Sequence, residues 1–269
     1  MQFFQKFLIF IYSSVNKTGL LKNLWFKKIF WFCYFLYKKY LEDPFWGLTQ
    51  QYPDIFKGGN ILDIGANIGY TATIFSKAIT PGFTVYAFEP DEKNFLSLQE
   101  IITVEKSIDK IIPIQAAVGD CNDTIQFWHN ENDHADNRIA TEEYQKSGID
   151  LSNIYSVPML SIDSFVESKL GNEVVKFIKI DVQGYELPVC LGMAKTLAAN
   201  PDAVVALEYM PSSLVELGFS PTDLIDFFQE KNYSMYIINK IGKLKIATRA
   251  MVESYIAKRG YIDLIFSKS

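Results

Sequence analysis

The chain has 269 residues, a net charge of -5 and a hydrophobic share of 49%. That length holds one large α/β domain plus an appendage, and that apolar content excludes a disordered chain. Three scattered cysteines (Cys33, Cys121 and Cys190, with no C-x-x-C pair) and two histidines argue against a disulfide framework or a histidine-rich metal centre. They favour a reducing, cytoplasmic compartment.

The charge is unevenly spread. Residues 1–40 hold seven lysines and no acid, so the remainder carries -12. An acidic body binds nucleic acid poorly, and no nucleic-acid partner is expected. Residues 1–57 read as a helical, basic, aromatic-rich arm that includes Trp25, Phe30, Trp31 and Tyr34. Its longest apolar run, 29–37, is shorter than the about 20 residues that a spanning helix needs. Two readings of the arm stay open. It packs on the domain with its lysines reaching water, or residues 1–40 make a peripheral contact with anionic lipid.

The domain is expected over 58–269. Gly58-Gly59 opens a strand at 60–64, and a helix at 69–79, a strand at 83–88 and a helix at 91–104 follow. The last shows helical apolar spacing at Phe95, Leu98, Ile101 and Ile102. A third strand is predicted over 111–117. Segments 124–129 and 155–160 look like an antiparallel pair. The polar stretch between them, 130–153, has the length of a lid or substrate loop. A short helix at 161–170 leads to a strand at 174–181, whose nearly continuous apolar run suits burial on both faces of a parallel sheet. A helix at 184–198, a strand at 203–207, a helix at 221–231 and strands at 235–238 and 261–266 complete the pattern. This alternation predicts a doubly wound, Rossmann-like α/β sheet, mostly parallel with an antiparallel C-terminal strand. Ligands in such sheets bind beyond the carboxyl ends of the strands. Asp63, Glu89, Asp120, Asp181 and Glu208 all fall at such ends.

The first strand runs into Asp63-x-Gly65-x-Asn67-x-Gly69. A dinucleotide turn reads G-x-G-x-x-G, with a bare second glycine that lets the backbone approach a pyrophosphate. Here the middle position carries a side chain and the turn is one residue shorter. That suits a nucleoside cofactor without a pyrophosphate, and S-adenosylmethionine is the leading candidate.

Several blocks then occur in a familiar order: 62–70 (LDIGANIGY), 87–90 (AFEP), 116–120 (AAVGD), 161–163 (SID), 178–186 (IKIDVQGYE) and Leu207-Glu208. Over about 58–267 the chain resembles the FkbM-type methyltransferases, a branch of the class I S-adenosylmethionine-dependent enzymes. It departs from the family pattern at Gln183, where the family usually has Glu. The arm and the 130–153 segment lie outside the matching blocks.

The resemblance implies a methyltransferase, and an O-methyltransferase of a sugar, glycan or other small hydroxyl-bearing metabolite, as in polysaccharide biosynthesis. Gly65 and Gly69 would let the backbone turn beside the methionine portion, and the helix start would face its carboxylate. Asp63 would receive the ammonium, and Asn67 would tolerate a left-handed conformation and donate to the ligand. Glu89 would accept from both ribose hydroxyls. Asp120 would take the adenine amino group, with Ala117 beside the ring. Asp181 is the first choice for a catalytic base, with Glu208 on the same edge. His134 is an alternative base and Arg138 a contact for an acidic acceptor. Glu186 reads as a first-turn helix acid, and no metal is expected. A nicotinamide-dependent oxidoreductase and a non-catalytic nucleoside-binding module are the competing classes.

Overall fold

The computed structural model describes residues 33, 35–38, 43–130 and 137–268. The expectations for His134 and for nearly all of residues 1–40 therefore lie outside the described residues.

Helix α1 (Phe45–Gln51) and a 3-10 turn (Pro53–Phe56) precede β1 (Asn60–Ile64), α2 (Tyr70–Ala78), β2 (Val85–Phe88), α3 (Glu92–Val104) and β3 (Ile111–Ile114). An insertion follows, made of β4 (Ala117–Gly119), β5 (Asp123–Trp128), β6 (Arg138–Ile139), α4 (Glu142–Gln145), β7 (Ile154–Ser161) and α5 (Ile162–Phe165). The chain then forms β8 (Val175–Ile180), α6 (Glu186–Leu191), α7 (Ala194–Ala199), β9 (Val204–Tyr209), α8 (Pro211–Glu216) and α9 (Pro221–Glu230). It closes with β10 (Ser234–Ile238), β11 (Leu244–Ile246), α10 (Arg249–Arg259) and β12 (Ile262–Ser267).

The main sheet has the order β11-β10-β12-β9-β8-β1-β2-β3. Strands β3, β2, β1, β8 and β9 run parallel, and β12 pairs antiparallel with β9, as the sequence pattern predicts. The chain winds outward from β1 to β3 and then crosses back to β8. The connections leaving the carboxyl ends of β1 and β8 therefore run apart at the switch point, where a crevice opens. A second sheet, β4-β7-β5-β6, is built from the insertion. Its β5–β7 pair is the expected antiparallel pair.

Two predicted stretches differ. The strand at 111–117 is two strands in two sheets. Ala116 N–H turns back to the Ile114 carbonyl at 3.1 Å, which ends the extended run. The helix at 184–198 is broken at Gly192, where a Cβ would lie 2.0 Å from the Gly119 carbonyl oxygen. The second half has its own cap: Asp163 accepts from Lys195 N–H and Thr196 N–H. Helix α1 falls within the arm read as helical, while α8 and α10 have no predicted counterpart.

Residues 45–56, assigned to the arm by their aromatic content, pack into the domain core. Phe56 is fully buried, with its ring centroid 4.5 Å from Phe177 and 5.6 Å from Phe75. Phe45 meets the far side of Phe75 at 5.9 Å. These rings seal one face of β1 and β8 beneath the crevice. Phe56→Ala should lower the unfolding free energy by roughly 3–5 kcal/mol, the cost of a large buried cavity. Urea denaturation measures it, and a loss below about 1 kcal/mol would assign Phe56 to a detachable segment.

Candidate functional site

A crevice with a volume of about 440 Å³ lies over the carboxyl ends of β1, β2, β8 and β9. Its floor begins at the β1–α2 turn. Gly65, Asn67 and Gly69 have φ of 78°, 49° and 91°, so the expected left-handed Asn67 is present. Glycine is required at both flanks. A Cβ on Gly65 would lie 1.8 Å from the Asp181 carbonyl oxygen, and one on Gly69 would lie 2.4 Å from Leu98. The first contact draws the ends of β1 and β8 together.

Glu89 follows β2 on the crevice wall. Its carboxylate accepts from Asn67 N–H at 2.8 Å and Asp91 N–H at 3.0 Å. Burial pushes its pKa up to about 8, against the pull of those two N–H groups. The Asn67 N–H is thus engaged by Glu89, while the Asn67 side-chain oxygen is buried with no hydrogen-bond partner among the described residues. Ala116, Ala117 and Val118 line the neighbouring wall. Asp120 does not: it is exposed at the end of β4, which belongs to the second sheet.

Asp63 is fully buried and is also off the crevice wall. The two groups beside it, Thr71 and Lys179, are on the wall. Thr71 donates to one Asp63 oxygen at 2.7 Å, and Lys179 Nζ lies 3.8 Å from the other. Burial raises the Asp63 pKa, and the lysine charge opposes that shift. Lys179 is 5% exposed and donates to Asp181 at 3.1 Å. Burial would lower its pKa, but Asp181 and Asp63 outweigh this and hold the ammonium well above its ordinary value. Asp181, at the end of β8, is lowered in turn. Lys179 and a hydrogen bond from Gln183 overcome the penalty of burial.

Glu208 does fall beside Asp181. Burial first, then the charges of Asp181 and Asp263, push its pKa well up. Asp263 enters through the pairing of β12 with β9, where it stands opposite Glu208, and its own pKa is pushed up to about 7 by burial. Gln183 Nε2 bridges the pair, 3.0 Å from Asp181 and 3.3 Å from Glu208. Glu186 accepts from the backbone N–H groups of Val182 and Gly184, which makes it a clamp on the loop rather than a reactive group. From the 130–153 segment, Asn137, Arg138 and Ile139 reach the crevice. Arg138 is paired with Glu216 at 2.6 Å.

The sequence reading omitted Lys179, although a charged residue in a buried strand two places before an acid is a visible signal, because i and i+2 share a face. Lys38, Asp43 and Asp263 also line the crevice. They come from distant parts of the chain and left no local signal. Among the described residues, no cluster of histidine, cysteine and acidic groups is arranged to hold a metal ion.

A glycine turn, a buried carboxylate beyond the next strand and a crevice at the switch point define a Rossmann-like α/β fold. The chain matches the family model described as the methyltransferase FkbM domain over residues 63–235, and it belongs to that family. It is 27% identical over 179 residues to the hexuronic acid methyltransferase AglP of Haloferax volcanii. That alignment covers 66% of this chain and 64% of AglP. A crystal structure of a methyltransferase FkbM from Methylobacillus flagellatus KT superposes with a TM-score of 0.51 at 16% identity, over 83% of this chain and 48% of that one. The chain thus spans about half to two-thirds of the length of these relatives.

Lys179→Met would leave Asp63 without a counter-charge, at an expected cost of about 3–5 kcal/mol near neutral pH. The sign with pH follows from the raised Asp63 pKa. The folded variant keeps a proton on Asp63 over a range where the unfolded chain has lost it, so stability falls as pH rises through that range. The deficit relative to wild type should therefore shrink towards pH 4, as urea titrations across pH would show. A deficit independent of pH would contradict the Asp63–Lys179 pairing.

Proposed function

We propose that this chain is an S-adenosylmethionine-dependent methyltransferase acting on an oxygen of a sugar or related small acceptor. The observation that carries the reading is Glu89. It is a buried carboxylate held by the Asn67 turn, on the wall of a crevice at the switch point. A carboxylate offers two acceptors at the spacing of a ribose diol. The neighbouring Ala116-Ala117-Val118 wall is apolar and suits an adenine face. The orphaned Asn67 side-chain oxygen supplies an acceptor for the ligand's ammonium or hydroxyl groups. The cofactor would supply an electrophilic methyl group on a positively charged sulfur, and transfer from sulfonium needs chiefly alignment and exclusion of water.

The acceptor half of the crevice supports an oxygen nucleophile. Asp181, Glu208, Asp263 and Gln183 present polar planar groups that suit hydroxyls, and Tyr261 supplies a ring. AglP is described as acting on a hexuronic acid. Arg138 and Lys38, both on the wall, would tolerate an acidic sugar here as well.

Calorimetric titration with S-adenosylhomocysteine tests the reading, with NAD as control. S-adenosylhomocysteine should saturate one site, and Glu89→Ala should weaken it by roughly 1–3 kcal/mol. A diol donates best to the ionised carboxylate, whereas free Glu89 titrates at about 8. Binding near pH 7 should therefore release a proton, seen as a dependence of the heat on the buffer's ionisation enthalpy. Affinity should rise with pH up to about 8 and then level. Saturable NAD binding without S-adenosylhomocysteine binding would overturn the reading.

A further inference from the structure

Asp181 and Glu208 stand side by side at the ends of neighbouring parallel strands, yet their surroundings differ. Both Asp181 oxygens are occupied, one by Lys179 at 3.1 Å and the other by Gln183 at 3.0 Å. Among the described residues Glu208 accepts one hydrogen bond, the 3.3 Å contact from the same Gln183 nitrogen. Both carboxylates line the crevice.

The Gln183 amide is placed by its backbone. Its φ is 54°, a conformation that a side chain-bearing residue rarely adopts. The flanking positions enforce it. Glu186 grips Val182 N–H and Gly184 N–H, and Gly184 has a φ of 105° and no room for a Cβ, which would lie 2.5 Å from the Ser213 carbonyl oxygen. An amide nitrogen carries two hydrogens, so it can donate to two carboxylates at once. A glutamate at this position could donate to neither when ionised.

We propose that Gln183 is a positioning residue that gives the two carboxylates unlike roles, with Asp181 the fixed counter-ion of Lys179 and Glu208 the acceptor of the proton released on methyl transfer. This rests on the methyl-donor reading. As the acceptor oxygen bonds to the methyl carbon, the sulfur–carbon bond breaks and its electron pair discharges the sulfonium to a thioether. The acceptor's proton passes to Glu208 and then to water. Asp181, neutralised by the ammonium and held by two donors, is a weak base. Glu208 faces Asp181 and Lys179 from β8, Asp263 from β12 and Glu186 from α6. Lys38 and Asp43 line the same crevice ahead of α1. The predominance of acids there raises the proton affinity of Glu208, and a bound sulfonium would favour the ionised form that takes the acceptor's proton.

Carbon-13 NMR of the side-chain carboxyls tests this, with resonances assigned through Asp181→Asn and Glu208→Gln, in the free protein and with S-adenosylhomocysteine present. Glu208 should titrate above Asp181 in wild type. Gln183→Met, which removes both donors at similar length, should raise both midpoints by about one pH unit. A purely structural role would change the thermal midpoint and leave the titrations in place, and that result would overturn the proposal. Asp181 titrating above Glu208 would overturn it too. Calorimetry on the same samples separates the two levels. Absent S-adenosylhomocysteine binding would sink the methyl-donor reading and this inference with it, while intact binding with a reversed titration order would sink the inference alone.

Discussion

Lys179 carries a charge into the middle of the main sheet, and much of the site depends on it. A buried ammonium is costly unless it is paired and hydrogen-bonded. Asp63 on β1 and Asp181 at the end of β8 supply the pairing, so the lysine joins the two strands that flank the switch point. The Gly65–Asp181 backbone contact reinforces the same junction without room for a single extra carbon. The charge row therefore sets the geometry of the crevice floor and the protonation states above it. Asp181 is held ionised by Lys179, and its charge adds to burial in raising the proton affinity of Glu208.

The glycine turn and Glu89 were legible in the sequence, because they are local. Asp63 to Gly69 is one turn, Glu89 ends the next strand, and their order along the chain is their order in space. The fold class followed from the alternation of strands and helices and from the apolar run at 174–181. What escaped the sequence depends on contacts between distant segments. The helix at 184–198 breaks because Gly192 meets the Gly119 carbonyl in another sheet. Asp120 was read as a strand-end acid of the main sheet, but its strand belongs to the insertion. Asp263 reaches Glu208 only because β12 inserts antiparallel beside β9.

Gln183 illustrates how a departure from a family pattern gains meaning only in three dimensions. As sequence, a Glu-to-Gln difference looks like the loss of a functional group. In the fold, the amide sits between two carboxylates that an additional acid would have forced apart or obliged to take up protons. Its strained backbone is fixed by Glu186 and Gly184, neither of which touches the crevice. The residues that orient the site are thus partly separate from those that line it.

The two sheets meet at Asp91. This buried residue caps α3 through Asn94 N–H, and from the second sheet it is approached by the Tyr155 hydroxyl and His129 Nδ1, each at 2.8 Å. Asp91 also donates its own N–H to Glu89. The main sheet thus carries the turn and Glu89, the second sheet carries Asn137 to Ile139, and one carboxylate pins the two together. A chain built this way is divisible. Residues 130–153 can lengthen, shorten or change composition between β5 and β7 while the parallel strands keep their register, provided the post at Asp91 survives. The lining of the crevice can then be rewritten within a single insertion, with the glycine turn and Glu89 inherited intact.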